Sequence, residues 1–367
     1  MTEAVVSAFA TSVAAAMTQG WRKVGKLPER FPSIVAEALE CGISRFPFTA
    51  ADIVEWVWNS EVLPHQPRLD ETFGQPPITL YCNDEFRIDA LFWVDSNTAV
   101  HAHAFSGAFL VLDGHSVHSR FTFTEHQRIG RHFILGHVEA MSAELLDPGD
   151  VREIRAGAES IHSVIHLGNP SVTIVARTSG KCAQPSEPEY AYFPPAVALD
   201  PSRTNSLRTR RVQLVRMVIR TAGGEGLLSR LDRLFARCDL HTAFLVLLEV
   251  GRHLSTSALV SDVLDLCDRN WPGVAEPFAA TVVAAVRHDR AAQLLHKQVD
   301  PSYRLVLGAL AALDEPRRIH ELLSSVTASP EKLIEDCIHH LQSSGSVTHS
   351  NSNPYDHLLF SPLARPR

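Results

Sequence analysis

The stretch TAVHAHAFSGAFLVLDG at residues 98–114 carries two histidines one residue apart, followed by an apolar run and an Asp-Gly turn. Successive side chains of a β-strand point to opposite faces, so His101 and His103 are predicted to point in the same direction. The two rings would then offer their nitrogens to one point beside the strand. Two half-buried histidines that bind no metal are the alternative, because a His-x-His pair alone is a weak signal.

A second stretch, GDVREIRAGAESIHSVIH at residues 149–166, supplies a further pair of histidines later in the chain. His162 and His166 share one face of a regular strand because they are four residues apart. Three neutral imidazoles that converge inside a barrel suit a borderline divalent metal such as iron, nickel, copper or zinc. We therefore predict a metal site formed by His101, His103 and His162.

The spacing of the two motifs resembles that of the cupin superfamily, in which a first motif with His-x-His and a closing glycine pairs with a second motif holding one more histidine. The glutamate that is usual in the first motif would fall near Gly107 or Ala108, and neither residue can ligate a metal. The pattern is therefore more similar to the cysteine dioxygenase branch, which binds Fe(II) with three histidines. The stretch VIHLGNPSVTIV at residues 164–175 also resembles the strand-turn-strand that follows the third ligand there. The resemblance covers about residues 75–180.

The sequence departs from that branch at the residues that act on the substrate. Where thiol dioxygenases carry a cross-linked Cys and Tyr, this chain has Ala108 and Arg177. The Ser-His-Tyr hydrogen-bonding set of the family would fall near Thr173, Val175 and Arg177, so only a hydroxyl corresponds. The substrate-binding arginine of the first strand would fall near residues 81–82, which are Tyr and Cys. The resemblance implies a metal and leaves the substrate open.

Three residues are the candidates for contact with a substrate: Tyr81, Thr173 and Arg177. Each could present a hydroxyl or a cation inside the barrel, and the fork of an arginine suits a carboxylate. Arg177 is the foremost candidate, because the resemblance places it on the strand that faces the metal. An arginine engaged in a salt bridge at the end of a strand is the alternative.

Two further histidines are predicted to support the site rather than to ligate the metal. An oxygen-activating iron needs open positions for O₂ and substrate, which argues against His166 as a fourth ligand. A group that hydrogen-bonds and orients a ligating histidine is common in metal sites, and His166 could serve as one. His118 lies in the alternating stretch SVHSRFTF at residues 116–123, a predicted strand that could line the site. The rim of the barrel is the alternative location for His166.

Composition and charge restrict the class of protein. The chain has 367 residues, 45% of them hydrophobic and 20% charged, which is ordinary for a soluble protein of two or three domains. The formal net charge of −7 argues against a general role in nucleic-acid binding. The cysteines form no Cys-x-x-Cys pair, and no apolar stretch is long enough for a membrane span. Because Arg22 and Lys23 follow the apolar start rather than precede it, we predict a cytoplasmic protein without a secretory signal.

The pattern along the chain predicts an α+β fold with a central cupin-type β-barrel, an N-terminal helical segment and a C-terminal all-α region. Short apolar stretches punctuated by glycines predict the strands, and helical periods precede and follow them. The last part is similar to a winged helix, but its stretch PEKLIEDC at residues 330–337 holds three acids and one base. This charge would repel phosphates and favours a protein or peptide partner. The predicted domains are a helical segment (1–65), a metal-binding barrel (75–180), a Pro-rich connector (181–205), a bundle or HEAT-like domain (206–298) and a winged-helix-like domain (300–367).

Two functions remain open from the sequence. The first is a mononuclear non-haem iron oxygenase that uses Fe(II) and O₂ to oxidise a small thiol or a related electron-rich substrate. The second is a sensor or scaffold, in which the barrel binds a metal or small ligand without turnover and the helical half binds a protein or nucleic-acid partner. Oxygen uptake that depends on Fe(II) distinguishes the two.

Overall fold

The computed structural model describes most of the chain, and two compact units make it up. The described residues are 2–66, 73–94, 97–182, 189–201, 206–222, 225–254 and 258–345. The first unit comprises Met1–Arg120 and Ala143–Glu189, and the second comprises Phe121–Ser142 and Tyr190–Arg367. Both units are discontinuous in sequence, and the consecutive domain boundaries expected above stay a prediction.

The first unit opens with three helices whose apolar residues recur at helical spacing. They are α1 (Thr2–Lys23), α2 (Phe31–Arg45) and α3 (Ala50–Asn59). A capping box starts α3: the Asp52 amide donates to Thr49 Oγ1 at 3.3 Å, and the Thr49 amide donates to the Asp52 carboxylate at 2.7 Å. Phe9, Phe31 and Leu39 on the buried faces of α1 and α2 are completely shielded from solvent. These helices therefore pack as one apolar layer.

Eleven strands, in two sheets, follow in the described residues. They are β1 (Pro77–Cys82), β2 (Phe86–Trp93), β3 (Thr98–His101), β4 (Gly107–Asp113), β5 (Ser116–Gly130), β6 (Phe133–Leu146), β7 (Val151–Ile154), β8 (Ile161–His166), β9 (Ser171–Thr178), β10 (Ala191–Phe193) and β11 (Val197–Leu199). One sheet has the order β1-β2-β9-β4-β7, and the other has the order β10-β11-β6-β5-β8-β3 and is a closed barrel. The predicted α+β class with a β-barrel is confirmed.

Alternation along β9 divides its residues between two faces. Val172, Ile174 and Ala176 belong to the core that contains the three helices, whereas Thr173 and Val175 line a cavity on the other face. The face that carries Thr173 and Val175 therefore forms one wall of the cavity, and residues of β3 and β8 also line this cavity.

The second unit is mostly helical. Its helices are α4 (Ser206–Ala222), α5 (Leu227–Phe235), α6 (Leu240–Leu254), α7 (Ala258–Asn270), α8 (Ala275–Lys297), α9 (Pro301–Ala312), α10 (Pro316–Ser324) and α11 (Pro330–Ser343). Phe235, Phe244 and Phe278 are completely or almost completely buried in its core. Among the helices of the described residues, none combines the length and apolarity required to cross a bilayer.

Two details of the second unit bear on the sequence predictions. The connector expected at 181–205 contains β10 and β11, each of three residues, which is too short to reveal an alternating pattern in the sequence. The helices α9, α10 and α11 occur where the winged-helix-like domain was expected. The wing of that domain would lie after residue 345, outside the described residues.

Candidate metal centre

The register of two neighbouring strands brings together histidines from the two sequence motifs. His101 at the end of β3 pairs directly with His162 of β8 in the antiparallel ladder. His103 lies just beyond β3, where it forms an isolated bridge with Ala156. The side chains of His103 and His162 are buried, and that of His101 is half-buried. The three histidines predicted from the sequence therefore meet on one side of the barrel wall.

The ring nitrogens of these histidines lie at distances that suit a shared ion. His103 Nε2 is 3.0 Å from His101 Nε2 and 2.9 Å from His162 Nε2. A metal–nitrogen bond of about 2.1 Å places two ligands at a right angle about 3.0 Å apart. A potential donor atom of each histidine lies within 4.8 Å of those of the other two. The spacing of the nitrogens thus fits adjacent positions around one metal.

Hydrogen bonding fixes which nitrogen of His101 is free to bind. Its Nδ1 lies 2.7 Å from the carbonyl oxygen of Ala99. Because a carbonyl only accepts, Nδ1 carries the hydrogen and donates it, and Nε2 of the neutral ring keeps a lone pair. This lone pair faces the other two histidines.

A chain of side chains fixes the ring of His162 in the same way. His118 Nδ1 lies 3.0 Å from the Glu144 carboxylate, which only accepts, so this nitrogen donates. When the His118 ring carries this single hydrogen, its Nε2 is an acceptor, and His162 Nδ1 donates to it at 3.1 Å. His162 Nε2 is left with a lone pair that points toward His103. Carboxylate–histidine relays of this kind orient metal ligands.

Glu144 is itself held by an arginine. Arg152 donates from Nε to one carboxylate oxygen at 2.9 Å and from Nη2 to the other at 2.7 Å. The hydrogen bond from His118 and those from Arg152 lower the pKa of Glu144 to about 2, so it stays ionised at neutral pH. Sequence reasoning did not single out Glu144 or Arg152.

The electrostatics of the three rings favour the neutral form that a metal needs. Burial is the main cause of a lowered pKa for His101, and it holds the pKa of His103 and His162 well below the usual value. One hydrogen on His103 Nε2 could satisfy only one of its two close nitrogen neighbours. A cation at the centre would satisfy all three, so the donor set fits a divalent transition metal.

The cluster opens into a small apolar cavity with a free volume of about 30 Å³. Phe73 contributes to the lining and is the most exposed of its aromatic residues, at 38%. Its ring contacts that of Trp93, with 5.2 Å between centroids. The apolar wall includes Leu91, Trp93, Phe105, Phe109, Val164 and Val175. Such a lining limits the access of bulk water to the three histidines.

His166 also lines the cavity, but it does not belong to the cluster of three nitrogens. Its ring stacks on Trp93 with a centroid separation of 4.5 Å, and its Nδ1 lies 3.1 Å from Ser116 Oγ. Its Nε2 is buried without a hydrogen-bond partner among the described residues. Burial lowers its pKa to about 3, so the ring is neutral.

The candidate substrate residues on β9 lie in different surroundings. Thr173 lines the cavity and accepts a hydrogen bond from Trp93 Nε1 at 3.0 Å. Arg177 lies 4.9 Å over the ring of Phe105, with its Nε 3.4 Å from the buried carboxylate of Asp89. Its charge contributes to the lowered pKa of His103. Arg177 is thus near the cluster and engaged in an ion pair.

Tyr81 lies on the other face of the sheet, away from the cavity. The register of β1 against β2 shifts between Thr79 and Tyr81, and such a bulge moves the following side chain to the opposite face. The ring of Tyr81 stacks on Phe86, whose side chain belongs to the core with the helices. The structure does not bring Tyr81 to the three histidines, contrary to the expectation from the resemblance.

Comparisons with known proteins give distant likenesses. No protein-family model matches the chain, and no curated protein matches it. Among solved structures, it is similar to hydroquinone 1,2-dioxygenase from Sphingomonas sp. TTNP3, with 14% identity, 30% of this chain and 70% of that chain covered, and a TM-score of 0.23. It is similar to a cupin superfamily protein from Desulfitobacterium hafniense, with 16% identity, 33% and 99% covered, and a TM-score of 0.19. It is also similar to DMSP lyases, with 14% identity, 52% and 100% covered, and a TM-score of 0.29. Likenesses this distant do not define an activity of this chain.

Proposed function

We propose that His101, His103 and His162 hold one Fe(II) ion through their Nε2 atoms, and that the protein is an oxidoreductase that uses O₂ on a small substrate. The convergence of the three Nε2 atoms beside a buried apolar cavity carries this proposal. Three nitrogen ligands leave positions of the ion open, as O₂ and a substrate require. Bound there, Fe(II) would supply the electrons that activate O₂.

The apolar wall has a defined role in this proposal. Trp93, Phe105 and Phe109 keep bulk water away from the cluster, which strengthens every electrostatic interaction inside and limits side reactions. The small free volume restricts the substrate to a few heavy atoms unless a side chain moves. Phe73 is the side chain best placed to move. Its ring contacts Trp93 in the wall of the cavity, and much of its surface is exposed to solvent.

Two polar groups in the cavity could bind a polar group of the substrate. His166 Nε2 is buried and has no hydrogen-bond partner within the described ranges, so a hydrogen bond to a ligand would relieve an uncompensated desolvation. The Thr173 hydroxyl accepts from Trp93 and keeps its own hydrogen to donate. We assign both a positioning role. Arg177, close to His103 and Phe105, would favour an anionic substrate such as a thiol that carries a carboxylate.

Elemental analysis and oxygen uptake test the proposal. Purified protein should contain about one metal atom per chain, and the Fe(II)-loaded protein should consume O₂ with one of a panel of small thiols: cysteine, cysteamine and 3-mercaptopropionate. His101→Ala is the matched control, and it should lose both metal and uptake. Protein that folds but binds no divalent metal would contradict the metal centre.

Binding without turnover is the second candidate function, and the same measurement separates it from the first. The hydrogen-bonded relay of His118, Glu144 and Arg152 behind His162 would equally suit a metal held for structure or sensing. Stoichiometric metal with no O₂ consumption under any thiol would favour this candidate and contradict the oxidoreductase. The cytoplasm stays the predicted location of the protein.

A further inference from the structure

A second, larger pocket lies among α4, α6 and α8 of the helical unit. Its volume is about 410 Å³, which is within the range of small-molecule sites. Four arginines contribute to its lining, against two carboxylates and one histidine. The residues concerned are Arg216, Arg220, Arg252, Arg290, Glu249, Asp289 and His253. The chain as a whole is acidic, with a formal net charge of −7, so this concentration of positive charge is local.

Both carboxylates of the pocket are already paired. Glu249, only 2% exposed, accepts from Arg216 at Nη2 over 3.0 Å and through a second contact at Nε. His253 Nε2 lies 2.9 Å from the same carboxylate. Asp289 accepts from Arg252 Nε at 2.6 Å. The two acids of the pocket therefore neutralise Arg216 and Arg252, and neither is paired with the other two arginines.

Arg220 and Arg290 form no ion pair among the described residues. Arg220 is exposed at the pocket, whereas Arg290 is half-buried and its Nε is shielded from solvent with no hydrogen-bond partner in the described part of the chain. A guanidinium N–H that is removed from water and left without an acceptor is unfavourable. An acceptor supplied by a ligand would resolve this.

We propose that this pocket binds a small, multiply charged oxyanion such as an organic phosphate. The planar fork of an arginine matches the oxygens of phosphate groups, and two uncompensated arginines suit a ligand with more than one negative charge. Gln293 adds an amide that can donate and accept, and Val286 adds an apolar surface for the organic part. The arginine-rich sequence of α4 thus serves two purposes: Arg216 forms a structural ion pair, and Arg220 contacts the ligand.

Calorimetric titration with inorganic pyrophosphate tests this site on the full chain in 150 mM salt. The protein should bind about one pyrophosphate, and Arg220→Gln should weaken binding at least tenfold. Arg290→Gln should do the same, and the double variant should abolish binding. Because Arg220 is exposed, its variant should fold even if loss of Arg290 disturbs the packing of α8.

Two controls give the result its meaning. Arg210→Gln removes the same charge from the exposed surface of α4 outside the pocket, and it should leave the affinity unchanged. Pyrophosphate could also bind a metal held in the barrel, and His101→Ala tests this alternative. If the arginine pocket is the binding site, His101→Ala should leave the affinity for pyrophosphate unchanged. The proposal is overturned if wild-type protein shows no binding at millimolar pyrophosphate, if Arg210→Gln weakens binding as much as Arg220→Gln, or if His101→Ala abolishes it.

Discussion

His101 and His162 face each other in register across two antiparallel strands, although they come from distant parts of the chain. This pairing means that the backbone ladder, and not a flexible loop, sets the separation of two of the three proposed ligands. A site built on paired strands holds its geometry before an ion arrives. Metal binding should therefore depend on individual imidazoles rather than on folding around the ion.

The first prediction concerns metal retention. His101→Ala should reduce the metal content from about one atom per chain to near zero, because two imidazoles alone bind weakly, while the circular dichroism spectrum stays unchanged. His115→Ala is the control, since His115 is exposed and pairs with Asp147 at the surface. A folded His101→Ala protein with full metal content would show that the cluster is not the metal site.

The second prediction concerns the relay behind His162. Glu144→Gln keeps the shape of the side chain but removes the negative charge of the carboxylate, which accepts hydrogen bonds from His118 and Arg152. Metal affinity, measured by competition with a chelator, should fall about 10- to 100-fold, as is typical when a group behind a ligand is changed. Glu153→Gln, which affects an exposed pair with Arg155, should have no such effect. Equal affinities for the two variants would exclude a role of the relay in metal binding.

The sequence was sufficient to predict the three-histidine cluster but not its support. The common direction of His101 and His103 was predicted from the two-residue period of a strand, although β3 ends at His101 and His103 lies just beyond it. The contribution of His162 to the same cluster followed from the resemblance of the two motifs to the cupin pattern. Glu144 lies as far after the turn near Arg131 as His118 lies before it, so a hairpin centred there would have placed the two residues opposite each other. Gly130 indicates this turn in the sequence. The pairing of Glu144 with His118, however, depends on the exact position of the turn, which the glycine alone does not determine.

Tyr81 illustrates the part of the site that a sequence does not reveal. Alignment to a family pattern placed it at a substrate-binding position, yet one irregular step in the register between β1 and β2 turns its ring toward the helices. A shift by one residue exchanges the two faces of a strand, and the residues themselves carry no sign of it. His166 differs in another way: its strand face and its absence from the ligand set were predicted, but its stacking on Trp93 was not.

The third prediction concerns substrate binding by His166. His166→Phe keeps a ring against Trp93 and removes the buried Nε2 from the cavity. Metal content should stay at the wild-type value, whereas the KM for the small thiol that supports oxygen uptake should rise about tenfold, the equivalent of one hydrogen bond of about 1.4 kcal/mol. The kcat should change less than the KM. Loss of metal in this variant would instead place His166 among the groups that hold the ion.

The fourth prediction concerns pH and the helical unit. Burial, and next the charge of Arg208, lower the pKa of His241 to about 4 in the folded state, below the usual value of 6.5. The unfolded state therefore binds the proton first as the pH falls, so the free energy of unfolding should decrease from about pH 6.5 down to about pH 4 and then level off for this group. We expect the free energy of unfolding to fall by about 1 to 2 kcal/mol across that pH window. One pKa unit corresponds to about 1.4 kcal/mol, and solvent screens part of the effect.

His241→Gln should flatten this decrease, whatever its effect on stability at neutral pH, because glutamine does not titrate. Urea unfolding of metal-free protein at several pH values between 4 and 7 measures the slope. His126→Gln is the matched control, since His126 is exposed and its replacement should leave the slope unchanged. If wild type and His241→Gln lose stability in parallel between pH 6.5 and 4, then His241 is protonated in the folded unit and the proposed cause of its acid sensitivity is wrong.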